Sequence, residues 1–203
     1  MRAVFGIGNP GKRYRDTRHN AGFLLLDRLA EKLNLVFQPS KSDFYFANYS
    51  SKNTSFYLIK PTTFVNLSGI AAEDFLDEFQ IDIQDFLVVV DDLNLELGTV
   101  RIRKSGGDGG HNGLNSIIYN LQDDQFPRLR FGIGSKFEKG DMKNYVLDKF
   151  DSETLASLKP NFDFATDIIT EFLKNGFKGA QDYYSKNASN IASILNNTKN
   201  EGN

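Results

Sequence analysis

The sequence predicts an α/β fold built as a single domain, and three observations carry that expectation. Two apolar runs, at 3–7 and 86–90, are short and apolar on both faces, as strands in the middle of an α/β sheet are. Apolar residues at helical spacing recur elsewhere, as in Leu26, Leu29, Ala30 and Leu33, and again in Leu114, Ile117, Ile118 and Leu121. The 203 residues are 40% hydrophobic, enough for one full core, and no internal repeat or low-complexity linker divides them. The expected domain spans 1–195, with a polar tail over 196–203.

Taken in order, the first strand ends in the loop GIGNPGKRYRDTRHN, residues 6–20. Glycine and Asn-Pro force irregular backbone there. A helix over 21–33 follows, with Asn20 as its expected cap, so His19 stands at a loop-to-helix junction. Aromatic and β-branched runs at 44–49 and 56–60, separated by the polar 50–55, read as a β-hairpin. Beyond Pro61 the segment TTFVNLSG leads into a helix with Ile70, Phe75 and Phe79 on its apolar side. The run 86–90 stops at Asp91-Asp92, a short strand is expected at 99–103, and the glycine-rich 105–110 precedes the helix opened by His111-Asn112. Residues 129–133 read as a further strand and 135–144 as an exposed, charged loop. From Asp151 the pattern is helical, with Ala165, Ile168, Ile169, Phe172 and Leu173 on one face and a last helix over 177–195.

Composition narrows the chemistry. The chain holds no cysteine, so it has no disulfide, thiolate metal site or cysteine nucleophile. Two histidines are too few for a zinc cage, and no metal or cofactor is expected. No leader or membrane-spanning stretch is evident, which points to the cytoplasm and away from membranes. The 24 basic and 26 acidic side chains sum to −2, so any binding to nucleic acid must be local. Basic residues do gather at 12–18 and at Arg101, Arg103 and Lys104.

Gly6, Gly8 and Gly11 satisfy G-x-G-x-x-G, yet Pro10 lacks an N–H for a pyrophosphate and no helix begins at once. A dinucleotide enzyme is therefore the third-ranked reading. His19 is a candidate general base, since an imidazole takes up a proton near neutral pH, and Asp91 is a candidate to orient it. The bland alternatives are a backbone-bonded histidine and a capped strand end. Asn9, Asn66 and Asn112 each follow a strand end or open a helix, where neutral amides can hold a peptide or a developing oxyanion; for Asn112 helix capping competes with that role. The glycine loop 105–110, beside Arg101 and Arg103, offers N–H groups to an anion.

The stretches GIGNPGKRYRDTRHNAGF, KPTTFVNLSG, DDLNLELG, GGHNGLNSII and RLRFGIG, in this order, closely resemble bacterial peptidyl-tRNA hydrolase. The resemblance spans residues 1 to about 150. It implies a twisted, mostly parallel mixed central sheet flanked by helices, a monomer without an obligate protein partner, and cleavage of the ester joining a peptide to the 3′ end of tRNA. Matched by position, it implies His19 as the catalytic base, Asp91 as its orienting carboxylate and Asn9 and Asn66 as amides placing substrate near the attacking water. Asn112 becomes a further ligand of the substrate backbone and oxyanion, and Tyr14 and Phe64 pocket residues. Where the family usually has lysines for the terminal phosphate of tRNA stand Arg101 and Arg103, and Arg130 matches the family's arginine. Val65 replaces the usual methionine, and Asp108 stands where histidine is common. The runner-up is a non-catalytic RNA-binding protein on the same fold.

Overall fold

Alternation along the central strands decides which layer each side chain joins. In the computed structural model, which describes the backbone of residues 1–200 and the side chains of 1–189, β1 (Arg2–Gly6) turns Val4 to one face and Ala3 and Phe5 to the other. β5 (Phe86–Asp92) does the same with Leu87 and Val89 against Phe86, Val88 and Val90. Both faces are covered by helices, so both strands read as continuous apolar runs.

β4 (Ser55–Pro61), β1, β5 and β7 (Arg128–Gly132) form the parallel centre of the sheet. β3 (Phe44–Ser50) pairs antiparallel with β4, and β6 (Val100–Arg103) with β7. With the two-residue β2 (Gln38–Pro39) the order is β2-β3-β4-β1-β5-β7-β6. The chain leaves β1 for β4 on one side and then passes over β1 to reach β5. β1 is therefore the switch point, and the carboxyl ends of β4, β1 and β5 frame a crevice, where ligands of open α/β sheets bind.

α1 (Ala21–Lys32) and α6 (Lys159–Asn200) cover one face, while α2 (Ser68–Phe79) and α3 (Asn112–Leu121) cover the other. α6 is interrupted at Gly176, whose φ of 69° breaks the helix close to where the sequence separates two helical patterns. Its backbone remains helical to Asn200, and positions 201–203 of the expected tail lie outside the described residues. Among the described residues no helix is long and apolar enough to cross a membrane.

Several expectations need correction. Ile70 is 38% exposed, because α2 turns Gly69, Ala71, Ala72 and Phe75 inward instead. Gly69 lies so close to α3 that a Cβ there would come within 2.1 Å of the Ser116 carbonyl oxygen, so the small residues form the contact face. Asn20 sits at the start of α1 but does not cap it. The segment read as an open loop ends in a short helix, α4 (Met142–Leu147), and another, α5 (Ser152–Ser157), follows. Six residues give too little periodicity for α4 to be seen in the sequence, whereas α5 falls within the helical pattern expected from Asp151.

Candidate functional site

Glycines in and just after the first loop serve close packing and turning. A Cβ on Gly22 would lie 2.5 Å from the Ile7 carbonyl oxygen and 2.7 Å from that of Val89, so α1 rests directly on the ends of β1 and β5. Gly11, at φ 102°, makes the turn that follows Asn9-Pro10. This arrangement fixes His19: α1 begins at Ala21, two residues on, and its first turn is packed against the sheet.

Asn20 locks the start of the loop to its end. Its Oδ1 accepts from the Asn9 N–H at 2.9 Å and its Nδ2 donates to the Asn9 carbonyl at 2.9 Å, both buried. The Asn9 side chain in turn accepts through Oδ1 from the Val65 N–H at 3.0 Å. Asn9 therefore ties β1 to the turn after β4, and its Nδ2 has no protein partner among the described residues.

His19 Nδ1 lies 3.0 and 3.1 Å from the two carboxylate oxygens of Asp91. Asp91 ends β5 and is 3% exposed. Its backbone continues the ladder to Phe131, and that of Asp92 to Gly132, so the strand runs through both carboxylates rather than stopping before them. Asp92 is 7% exposed.

A second imidazole completes the group. His111 Nε2 is 2.9 Å from Asp91 Oδ1, and the two rings lie 5.0 Å apart. His111, and not Asn112, caps α3: its Nδ1 accepts from the Gly113 and Leu114 N–H groups at 3.1 and 3.3 Å. That fixes its tautomer, because a neutral imidazole accepting at Nδ1 carries its proton on Nε2 and donates it to Asp91. The sequence offered the position of His111 but not its partner twenty residues away. With the cap taken, the exposed Asn112 side chain is left without a protein hydrogen bond among the described residues.

His19, Asp91 and His111 are close enough to suggest a metal site, their ligand atoms lying within 4.8 Å of one another. The donor set argues otherwise. His111 Nε2 holds a proton where a metal needs a lone pair, and reversing the tautomer would set Nδ1–H against two backbone N–H groups.

Burial lowers the affinity of the His19 imidazole for a proton, but the charge of Asp91 and the hydrogen bond to it outweigh that, and the His19 pKa is raised above 6.5. For Asp91, burial acts to raise the pKa; the charges of His19 and His111 and their hydrogen bonds overcome it and hold the carboxyl far below the usual carboxylate range.

These groups line a cavity of about 1090 Å³ together with Asn9, Asn66, Asn112, Arg103, Arg128 and Arg130, the glycine loop and one side of α4. Arg101 is exposed and lies outside the lining, opposite Arg130 in the β6–β7 register. Tyr14 and Phe64 also lie outside it; their rings meet edge to face at 6.3 Å, and Phe64 directly precedes the lining residues Val65 and Asn66. α4 is fastened to the loop that carries His19 by Arg18, whose guanidinium donates to the Tyr145 carbonyl at 3.2 Å and stacks 4.4 Å over the Tyr145 ring.

Two amides of the glycine loop are already engaged within the protein. The Gly106 N–H donates to the Asp124 carbonyl, the Gly110 N–H donates to Asp108 Oδ1 at 2.6 Å, and the first amides of α3 are held by His111. Asp108 thus shapes the loop, and the bond from Gly110 holds its carboxyl below the ordinary range. Arg128, which the sequence gave no reason to single out, is 2% exposed; its Nη atoms donate to the carbonyls of Gly106, Gly107 and Asp124, and it stacks 4.3 Å over Phe126.

A family model described as peptidyl-tRNA hydrolase matches residues 3–192. The chain belongs to the peptidyl-tRNA hydrolase family. A relative of that name from Caldanaerobacter subterraneus subsp. tengcongensis is 40% identical over 185 residues, 91% of this chain and 100% of the relative. One from Chlorobium limicola is 39% identical over 189 residues, 93% of this chain and all of its own length. A crystal structure of peptidyl-tRNA hydrolase from Acinetobacter baumannii matches the fold with a TM-score of 0.82 at 31% identity, covering 90% of this chain and 93% of its own. The mostly parallel sheet flanked by helices is the architecture of these peptidyl-tRNA hydrolases.

Proposed function

We propose that this protein hydrolyses the ester between a peptide and the 3′ end of tRNA, with His19 as general base. The observation that carries the reading is the orientation of His19: Nδ1 faces the Asp91 carboxylate, leaving Nε2 without a protein partner among the described residues, in a cavity that also holds Asn9, Asn66 and Asn112. Nε2 takes a proton from water, and the resulting hydroxide attacks the ester carbonyl. Asp91, ionised throughout the neutral range, stabilises the imidazolium that forms. The amide of Asn112 donates to the tetrahedral oxyanion, while the free Nδ2 of Asn9 and the side chain of Asn66 hold the peptide and the water. The intermediate then expels the ribose oxygen, which takes the proton from His19. An ester leaves readily enough for this without a covalent nucleophile.

Arg103 and Arg130 are assigned to the tRNA phosphates, with Arg101 farther out on the same sheet face, and Tyr14 and Phe64 to the peptide side. A monomer acting in the cytoplasm during translation fits this reading. A peptide-release assay on peptidyl-tRNA tests it: His19→Ala is expected to lose on the order of 10²–10⁴ in rate, and release at the wild-type rate sinks the base assignment. Wild-type protein that binds the RNA but releases no peptide would favour the non-catalytic alternative.

A further inference from the structure

β6 and β7 place four arginines on one face of the sheet edge: Arg101 stands opposite Arg130, and Arg103 opposite Arg128. Like charges directly opposite one another on neighbouring strands repel. Among the described residues one carboxylate forms an ion pair with any of the four, and it is Asp92, bonded to Arg130 Nε. Asp92 is itself fixed, because its other oxygen accepts from the Asn94 N–H at 2.8 Å and the residue is 7% exposed. The guanidinium of Arg130 is thus gripped at its base. Neither of its Nη atoms has a protein partner among the described residues, and its side chain is 26% exposed where it lines the cavity.

We propose that Asp92 is a positioning residue for phosphate recognition: by holding Arg130 through Nε, it turns the paired Nη edge toward the RNA as a preformed fork for a terminal phosphate. The inference rests on the assignment of Arg130 to tRNA phosphate. A guanidinium has five donors in a rigid plane, and its two Nη groups match two oxygens of one phosphate. Without Asp92 the long side chain would swing away from Arg101, and each binding event would have to order it anew. A negative charge beside a phosphate site weakens attraction to any RNA. The structure therefore assigns Asp92 to selectivity for a phosphate in one place, not to affinity in general.

The test compares the affinity of the full-length protein for a short RNA duplex with a single-stranded 3′ overhang, carrying either a 5′-monophosphate or a 5′-hydroxyl. Wild type is expected to favour the phosphate by roughly ten- to hundredfold, the worth of one charge-assisted contact. Asp92→Asn keeps the acceptor for Asn94 and loses the one for Arg130. It is expected to cut the preference to about twofold or less while leaving the hydroxyl duplex bound as tightly or more tightly. Arg130→Gln added to Asp92→Asn should cost no further preference, since both act through one group. A preference retained in Asp92→Asn, or losses that add in the double variant, overturns the proposal. Should Asp92→Asn fail to fold, Arg130→Lys reads the same contact: charge stays, the fork goes, and undiminished preference overturns the proposal. Binding is measured without turnover, so a protein that selects the phosphate but cleaves no ester sinks the hydrolytic reading alone. One that cleaves the ester without favouring the phosphate sinks this inference alone.

Discussion

At the scale of single residues, the site is a carboxylate shared by two imidazoles, and its pH behaviour follows from that. The His19 pKa is raised by Asp91, so the acid limb of kcat/KM is expected above 6.5. Asp91→Asn removes the cause of the rise and leaves burial, which lowers it; the limb should move to lower pH while the rate falls on the order of tenfold or more. An unmoved limb would rule out His19, which faces Asp91, as the group that titrates in it. For stability the signs are opposite at the two partners. The depressed Asp91 contributes above its ordinary value of 3.8 and loses that contribution as pH falls through its folded pKa. The raised His19 contributes fully below 6.5 and loses it as pH rises through its folded pKa. The midpoint advantage of wild type over Asp91→Asn in thermal unfolding should therefore be widest between about pH 4 and 6.5. His19, Asp91 and the asparagines were legible because each stands at a strand end or helix start, which local pattern marks. His111 was not, since a histidine opening a helix already has an adequate local role, and its second contact crosses the fold.

At the scale of elements, the strands and long helices were readable wherever burial left a period, as in β5 and α3. Failures came where a face is made of small side chains or a helix is too short for a period. The contact of α2 with α3 through Gly69 is the clearest case, because apolar patterning favours Ile70 and cannot register a residue whose merit is its absence of bulk. Gly69→Ala is expected to destabilise the protein by about 1–3 kcal/mol, read as a lower denaturant midpoint at unchanged slope. α4 gives a second expectation. Arg18 ties it to the loop that carries His19, so Arg18→Ala should raise hydrogen exchange across Met142–Leu147 and weaken substrate binding, read as a several-fold rise in KM. Exchange no faster than in wild type would mean that Tyr145, through its 2.7 Å bond to the Ile133 carbonyl, anchors the helix alone.

For the whole molecule, a net charge of −2 coexists with an arginine face at one sheet edge. Affinity for tRNA should fall with added salt as a small number of phosphate contacts requires, and Arg101→Glu should weaken binding and reduce the steepness of that fall by about one to two. Equal slopes would place Arg101 off the RNA path. The architecture explains why so local a feature suffices: β1, as the switch strand, gathers the ends of three strands into one crevice, and the arginines occupy the edge that continues it.

The two histidines of this chain, the whole of its imidazole content, differ in one respect that chemistry can read directly. His111 has both ring nitrogens engaged, while His19 keeps one open to the cavity. A mild acylating reagent such as a pyrocarbonate should therefore mark a single site per folded chain, with inactivation tracking one equivalent of label, and take up the second only when the protein is unfolded. The same asymmetry gives imidazole nitrogen resonances that need no assignment by mutation: one tautomer pinned by the helix it caps, the other free to report each ligand that enters.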